Sequence, residues 1–170
     1  MRPTPADPDA WNAYLAEGNR TQARKRVAAD VLLRDGDGRI LLVNPTYKPD
    51  WDLPGGMAEA NEPPHIAATR ELKEELGLAI EPRRLLVVDW VAPHGPWDDQ
   101  IAFIFDAGTI GTAEAAALQP HDDELSELAF VTPAEATTRL RNRLARRLRA
   151  ALEALNGQGG PLYLHDGQPV

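Results

Sequence analysis

Between Gly55 and Leu78 the chain reads Gly-Gly-Met-Ala-Glu-Ala-Asn-Glu-Pro-Pro-His-Ile-Ala-Ala-Thr-Arg-Glu-Leu-Lys-Glu-Glu-Leu-Gly-Leu. Proline suits the first turn of a helix, so Pro63-Pro64 predicts a start there, with Glu62 beside the positive end of its macrodipole. Gly77 predicts the stop, as a residue able to take a left-handed cap. The predicted helix carries Arg70, Glu71, Glu74 and Glu75. Carboxylates at i, i+3 and i+4 share one helix face, where like charges oppose helix formation by about 0.2–0.5 kcal/mol per exposed pair. A chain that stacks three of them on one stripe is built to hold a cation there. Beside that stripe, Ala68, Leu72, Leu76 and Ala79 form an apolar one, so one flank is expected to pack on a sheet while the other faces a cleft.

This segment resembles the signature box of the Nudix hydrolases: Gly, five residues, Glu, seven residues, Arg-Glu, an aliphatic, any residue, Glu-Glu, any residue, Gly, an aliphatic. Gly56, Glu62, Arg70, Glu71, Leu72, Glu74, Glu75, Gly77 and Leu78 fill it without a gap. At average residue frequencies, its seven fixed positions coincide by chance roughly once in 10^8 windows.

A chain of 170 residues is one domain's worth, long enough for a core without staples. It has no cysteine, which excludes a disulfide framework, a thiolate metal site and a cysteine nucleophile. Met1 to Glu17 holds no apolar run, and no stretch approaches eighteen apolar residues, so neither a secretory leader nor a membrane span is expected. The expected location is cytoplasmic. A net charge of −8 disfavours long nucleic acid as a partner. It leaves room for a small phosphorylated substrate, because a divalent cation and a few arginines reverse the sign of a local pocket.

Along the chain, residues 1–23 read as an N-terminal arm, 24–156 as the domain and 157–170 as a C-terminal tail. Trp11, Tyr14 and Leu15 are spaced like one face of a short helix, a surface suited to packing on the domain or on a second copy in a homodimer. Arg24-Lys25-Arg26 reads as a solvated strand entry. Strands at Val27–Leu33 and Arg39–Val43 flank the turn signal Asp35-Gly36-Asp37-Gly38. Those aspartates lack the distal glutamate of a calcium loop, since position 46 is Thr. Strands at Leu85–Val91, Ile101–Asp106 and Leu128–Thr132 follow, with a loop from Ala92 to Gln100. Thr132-Pro133-Ala134-Glu135 predicts the start of one continuous second helix, with Leu140, Leu144, Leu148, Leu152 and Leu155 on its apolar side and an end at Asn156-Gly157. Its arginines, Arg139 to Arg149, read as a solvated face, and Leu162-Tyr163-Leu164 as an apolar patch able to dock. This order fits an α/β class protein, an α/β/α sandwich around a mixed sheet. The resemblance implies the same architecture.

The resemblance implies a Mg2+-dependent cleavage of a pyrophosphate bond, with Mn2+ as a substitute. Glu74 and Glu75 are then metal ligands, the Gly55 carbonyl a further one, and Glu71 a ligand or the proton acceptor. Arg70, four residues before Glu74, would orient a carboxylate through a charge-assisted hydrogen bond, and Glu62 would be structural. The base comes either from the helix or from the downstream loop His121-Asp122-Asp123-Glu124-Leu125-Ser126-Glu127, where Glu124 is the first candidate and Glu127 the second.

Substrate signals are sparse. Pro93 stands about where some ADP-ribose-cleaving members carry a proline. Tyr47, Trp51 and Trp97 are each able to stack on a base and Lys48 to meet a phosphate, although single loop aromatics more often pack. The expected substrate is a nucleoside diphosphate linked to another moiety, ADP-ribose-like by preference, or a nucleoside triphosphate. The missing cysteine disfavours the family's isomerase branch, and the net charge disfavours RNA decapping. The alternative is a catalytically silent nucleotide sensor or scaffold, which would be expected to have lost box glutamates.

Overall fold

The computed structural model describes residues 2–170. Eight strands form one sheet: β1 (Arg26–Arg34), β2 (Ile40–Pro45), β3 (Gly55–Met57), β4 (Arg84–Val91), β5 (Gln100–Thr109), β6 (Leu125–Val131), β7 (Leu162–His165) and β8 (Gln168–Pro169). Their order is β6-β2-β1-β5-β4-β7-β8, with β3 paired to β1. The sheet is mixed, because β1 runs parallel to β5 and β4 parallel to β7 while the other pairs are antiparallel.

Alternation along the strands builds two layers. Ala29, Val31, Leu33, Leu41 and Val43 pack with Ala67, Ala68, Leu72 and Leu76 of α2 (Pro64–Leu76). Leu32, Ile40, Leu42, Val87 and Ile104 face the opposite way, onto α4 (Pro133–Arg139) and α5 (Asn142–Asn156). A period of two side chains per repeat, read off the strands, thus yields the expected α/β/α sandwich. The short α3 (Thr112–Ala117) lies after β5, and α1 (Pro8–Thr21) has no buried residue. Among the described residues no helix is long and apolar enough to cross a membrane.

Two features of this sheet create the site. Strands β1 and β2 pair only at Arg34↔Ile40, next to the turn, so β1's earlier half is free to take β3 as a neighbour at Ala28↔Met57, Ala29↔Gly56 and Asp30↔Gly55. The glycine pair is thereby laid alongside β1, a central strand of the sheet. The helix α2 then follows as the sequence predicts, and Gly77 caps it with φ 67° and N–H bonds to the carbonyls of Leu72 and Lys73.

Four expectations change. The second helix breaks at Leu140 and Arg141, both extended, because Leu140 pairs its backbone with Trp51 and buries its side chain against the sheet. The strand read as Leu128–Thr132 spans Leu125–Val131, while Thr132 caps α4 as its Thr-Pro-Ala-Glu sequence predicts, accepting the N–H of Glu135 at 3.2 Å. Ala79 is exposed beyond the end of α2, and Ile80 packs on that core in its place. The tail patch Leu162-Tyr163-Leu164 does more than dock, since it joins β4 as a parallel strand with Leu164 fully buried.

Candidate active site

Arg70 sits at the centre of the acidic helix. Its Nε and Nη2 donate to the two carboxylate oxygens of Glu62 at 3.0 Å each, and Nη1 donates to Glu71 and to Glu74 at 2.9 Å each. Nη2 also donates to the carbonyl of Met57 at 3.1 Å, which ties the helix to the end of β3. Glu62 is held below the ordinary carboxylate range by Arg70 and by the N–H of Glu59. Through these bonds it fixes the loop in front of the helix.

Glu71 and Glu75 project toward the glycines. A Cβ built on Gly56 would stand 2.5 Å from Glu71 Oε1, so the missing side chain is the space this carboxylate occupies. On Gly55, at φ 136°, a Cβ would strike the Ala29 carbonyl oxygen at 2.3 Å, so backbone packing as well as conformation requires glycine. The Gly55 N–H donates to Glu75 Oε2 at 3.1 Å. Burial pushes Glu75 up to about 8, against the pull of that N–H, and the charges of Glu71, Asp122 and Asp30 push further. Burial also raises Glu71, with Arg70 opposing and Glu74 and Glu124 adding to the rise. Two carboxylates held out of water beside others are stabilised by a cation, and all-oxygen donors suit a hard divalent one. Glu71, Glu74, Glu75 and the Gly55 backbone therefore fit such an ion by donor chemistry. They do not stand as a ready shell: among the described residues no three carboxylate or imidazole groups converge, and Arg70 spans Glu71 and Glu74.

The glutamates stand between two concavities. The larger, about 850 Å³ and open, is lined by Arg70, Lys73, Glu74, His121, Asp122 and Glu124. Glu124 arrives there because its loop is docked on α2: the His121 N–H donates to the Glu75 carbonyl at 2.8 Å, and the Glu124 carbonyl accepts from the Thr46 N–H at 2.8 Å. Glu127 lies instead on β6 opposite Asn44 and lines neither concavity.

The smaller concavity, about 460 Å³, lies across β3 and includes Gly55 and Gly56 in its wall. Arg26, Lys48, Arg141, Arg143 and Arg147 line it against Asp30 and Asp52, five basic groups to two acidic ones in a chain of net charge −8. Tyr47 and Trp97 stand at its rim, both well exposed. Arg26 lies over the Trp97 ring at 4.5 Å, and Lys48 pairs with Asp52. Trp51 packs on the core under Arg139 and Pro93 lies outside the lining, while His94 contributes to it.

The sequence reading missed part of this wall. Arg26 is no mere strand entry, and the arginine run of α5 is not wholly solvated. Arg147 is buried, donating from Nε to Asp89 Oδ2 at 3.0 Å, with Nη2 in ion-pair contact with the same oxygen at 2.9 Å and Nη1 3.6 Å from Asp30. Burial raises Asp30 to about 7 although Arg147 draws it down. The signal was present: Arg147 falls three residues after Leu144 and one before Leu148, on the apolar side of its helix, and Asp30 interrupts an apolar strand.

A family model for the NUDIX domain matches residues 24–155. The chain belongs to the Nudix family. It is 31% identical over 140 residues to a MutT-like protein of Streptomyces ambofaciens, covering 82% of each chain. It is also 31% identical over 102 residues to the phosphatase NudJ of Escherichia coli K12, spanning 58% of this chain and 63% of NudJ's length. The fold is that of the NUDIX domain of Shewanella oneidensis NrtR, whose structure is a complex with ADP ribose; the TM-score is 0.68 at 18% identity, covering 86% of this chain and 99% of that one. The protein is accordingly a Nudix-type pyrophosphohydrolase.

Proposed function

We propose that this Nudix protein cleaves, with Mg2+ or Mn2+, a pyrophosphate bond in a nucleoside diphosphate linked to another moiety, ADP-ribose-like by preference over a nucleoside triphosphate. The observation that carries the reading is the adjacency of the α2 carboxylates and the basic cleft, with only the glycines of β3 between them. A diphosphate set at that boundary would lie beside the carboxylates able to hold a cation, with its organic group among Arg26, Arg143 and Trp97. The NrtR complex supports ADP-ribose as the first compound to test.

Glu74, Glu75, the Gly55 carbonyl and Glu71 would hold the metal, which when bound neutralises phosphate charge and lowers the pKa of a coordinated water. Arg70 fixes the rotamers of Glu71 and Glu74 by charge-assisted bonds. Glu124, on a loop tied to the end of α2, accepts the proton of the attacking water; Glu71 is the other candidate for that role. A homodimer through α1 belongs to the same proposal, supported by the exposed Tyr14 and Leu15 of a helix with nothing buried; a monomeric mass in solution would remove it.

The test is product release with Mg2+ from a panel of ADP-ribose, nucleotide sugars, nucleoside triphosphates and diadenosine polyphosphates. A nucleoside monophosphate and a phosphorylated partner, formed from one compound far faster than from the others, is the expected result. Binding without turnover throughout would favour the sensing alternative.

A further inference from the structure

Residues 162–169 lie beyond the segment matched to the Nudix family, yet their turn is bonded to elements that line the basic cleft. Strands β7 and β8 are joined by Asp166-Gly167, both at positive φ (52° and 75°), the conformation that a two-residue hairpin favours and that Asp-Gly adopts at little cost. The turn presses onto α5, for a Cβ on Gly167 would stand 2.9 Å from the Arg143 carbonyl oxygen.

From that turn two chains of contacts reach the cleft. Asp166 Oδ1 accepts the Ala92 N–H at 3.2 Å and stands 3.5 Å from Arg143 Nε, while its backbone N–H donates to the Trp90 carbonyl at 2.9 Å and its carbonyl accepts from Arg146 at 2.7 Å. Ala92 opens the loop that carries His94 and Trp97, and Arg143 of α5 lines the same concavity as those two. The second chain starts at Gly167, whose N–H donates to the buried Asp89 at 3.0 Å; Asp89 in turn holds Arg147. Between the two, the turn is bonded to the loop, to α5 and to the cleft floor. No residue of α2 is in either chain.

We infer that Asp166 is a positioning residue for substrate specificity: it sets the distance between the Trp97 loop and Arg143, the pair that grips the group beyond the pyrophosphate. This inference rests on the hydrolase reading. It acts on substrate affinity and leaves the bond-breaking end untouched.

Asp166→Gly removes the carboxylate while keeping a residue at ease at positive φ, and Asp166→Asn keeps an oxygen for the Ala92 N–H while removing the charge facing Arg143. With the best substrate of the panel, Asp166→Gly is expected to raise KM by about fivefold or more with kcat within about twofold, and Asp166→Asn to recover a substantial part of the loss. Hydrogen exchange, which needs no substrate, is read in parallel: Asp166→Gly should speed exchange in residues 92–99 and leave α2 unchanged. Faster exchange there in a protein that turns over no compound of the panel would retain the positioning role and sink the proposed substrate class. Unchanged exchange in 92–99, a fall in kcat at constant KM, or failure of Asp166→Asn to recover any affinity would overturn the inference.

Discussion

The five hydrogen bonds of Arg70 join the end of β3, the loop at Glu62 and two carboxylates of α2 through one planar group. Lysine retains the charge but not the fork, and makes a point contact where arginine makes several. Arg70→Lys is therefore expected to lower kcat/KM by roughly 10–100-fold, as for a residue that orients ligands without reacting; activity at the wild-type level would refute this role. The two glycines separate packing from chemistry. In Gly55→Ala the new methyl meets backbone of Ala29 and Asp30, so a loss of about 1–3 kcal/mol is expected in denaturant unfolding. In Gly56→Ala its three nearest atoms all belong to the movable carboxylate of Glu71, so turnover should fall while stability changes little. Equal destabilisation of both variants would contradict the assignment.

At the scale of elements, the turn between β1 and β2 owes its shape to a buried carboxylate. Asp35 accepts N–H bonds from Asp37 and Arg39 at 3.0 and 2.9 Å and the Arg39 guanidinium at 2.7 Å, and is 1% exposed. Burial alone would raise it, but these donors outweigh burial and hold it below the ordinary 3.8. A depressed carboxylate stabilises the fold fully above its unfolded value and loses that contribution as pH falls through the folded one. Asp35→Asn should thus cost about 1–3 kcal/mol at pH 7. The gap in Tm from wild type should narrow below about pH 4; a gap that widened into acid would contradict the account. The turn was legible in the sequence because Asp-Gly-Asp-Gly acts locally, and the acidic helix because i, i+3 and i+4 define a face. The break at Leu140 was not, since it answers to Trp51, far away in sequence.

Across the whole molecule, the buried pair Arg147–Asp89 links residues 58 positions apart and fastens α5 to β4 beneath the cleft. Such a contact has no sequence period, which is why an arginine run looked solvated although one member lies inside. Arg147→Ala leaves Asp89 buried without its cation and should cost about 3–5 kcal/mol in denaturant unfolding; a cost under about 1 kcal/mol would show the pair to be solvated after all. The basic cleft escaped the sequence for the same reason, being assembled from β1, two loops and α5, whereas the carboxylate face lay within a single helix. On the proposed function, this face holds the divalent cation on which pyrophosphate cleavage depends. Its most direct test is Mg2+ titration of wild type and Glu75→Gln, following Tm and product release together. Mg2+ is expected to raise Tm and switch on turnover in wild type, and Glu75→Gln to lose both responses while remaining folded. Turnover by Glu75→Gln at the wild-type rate and Mg2+ dependence would contradict it.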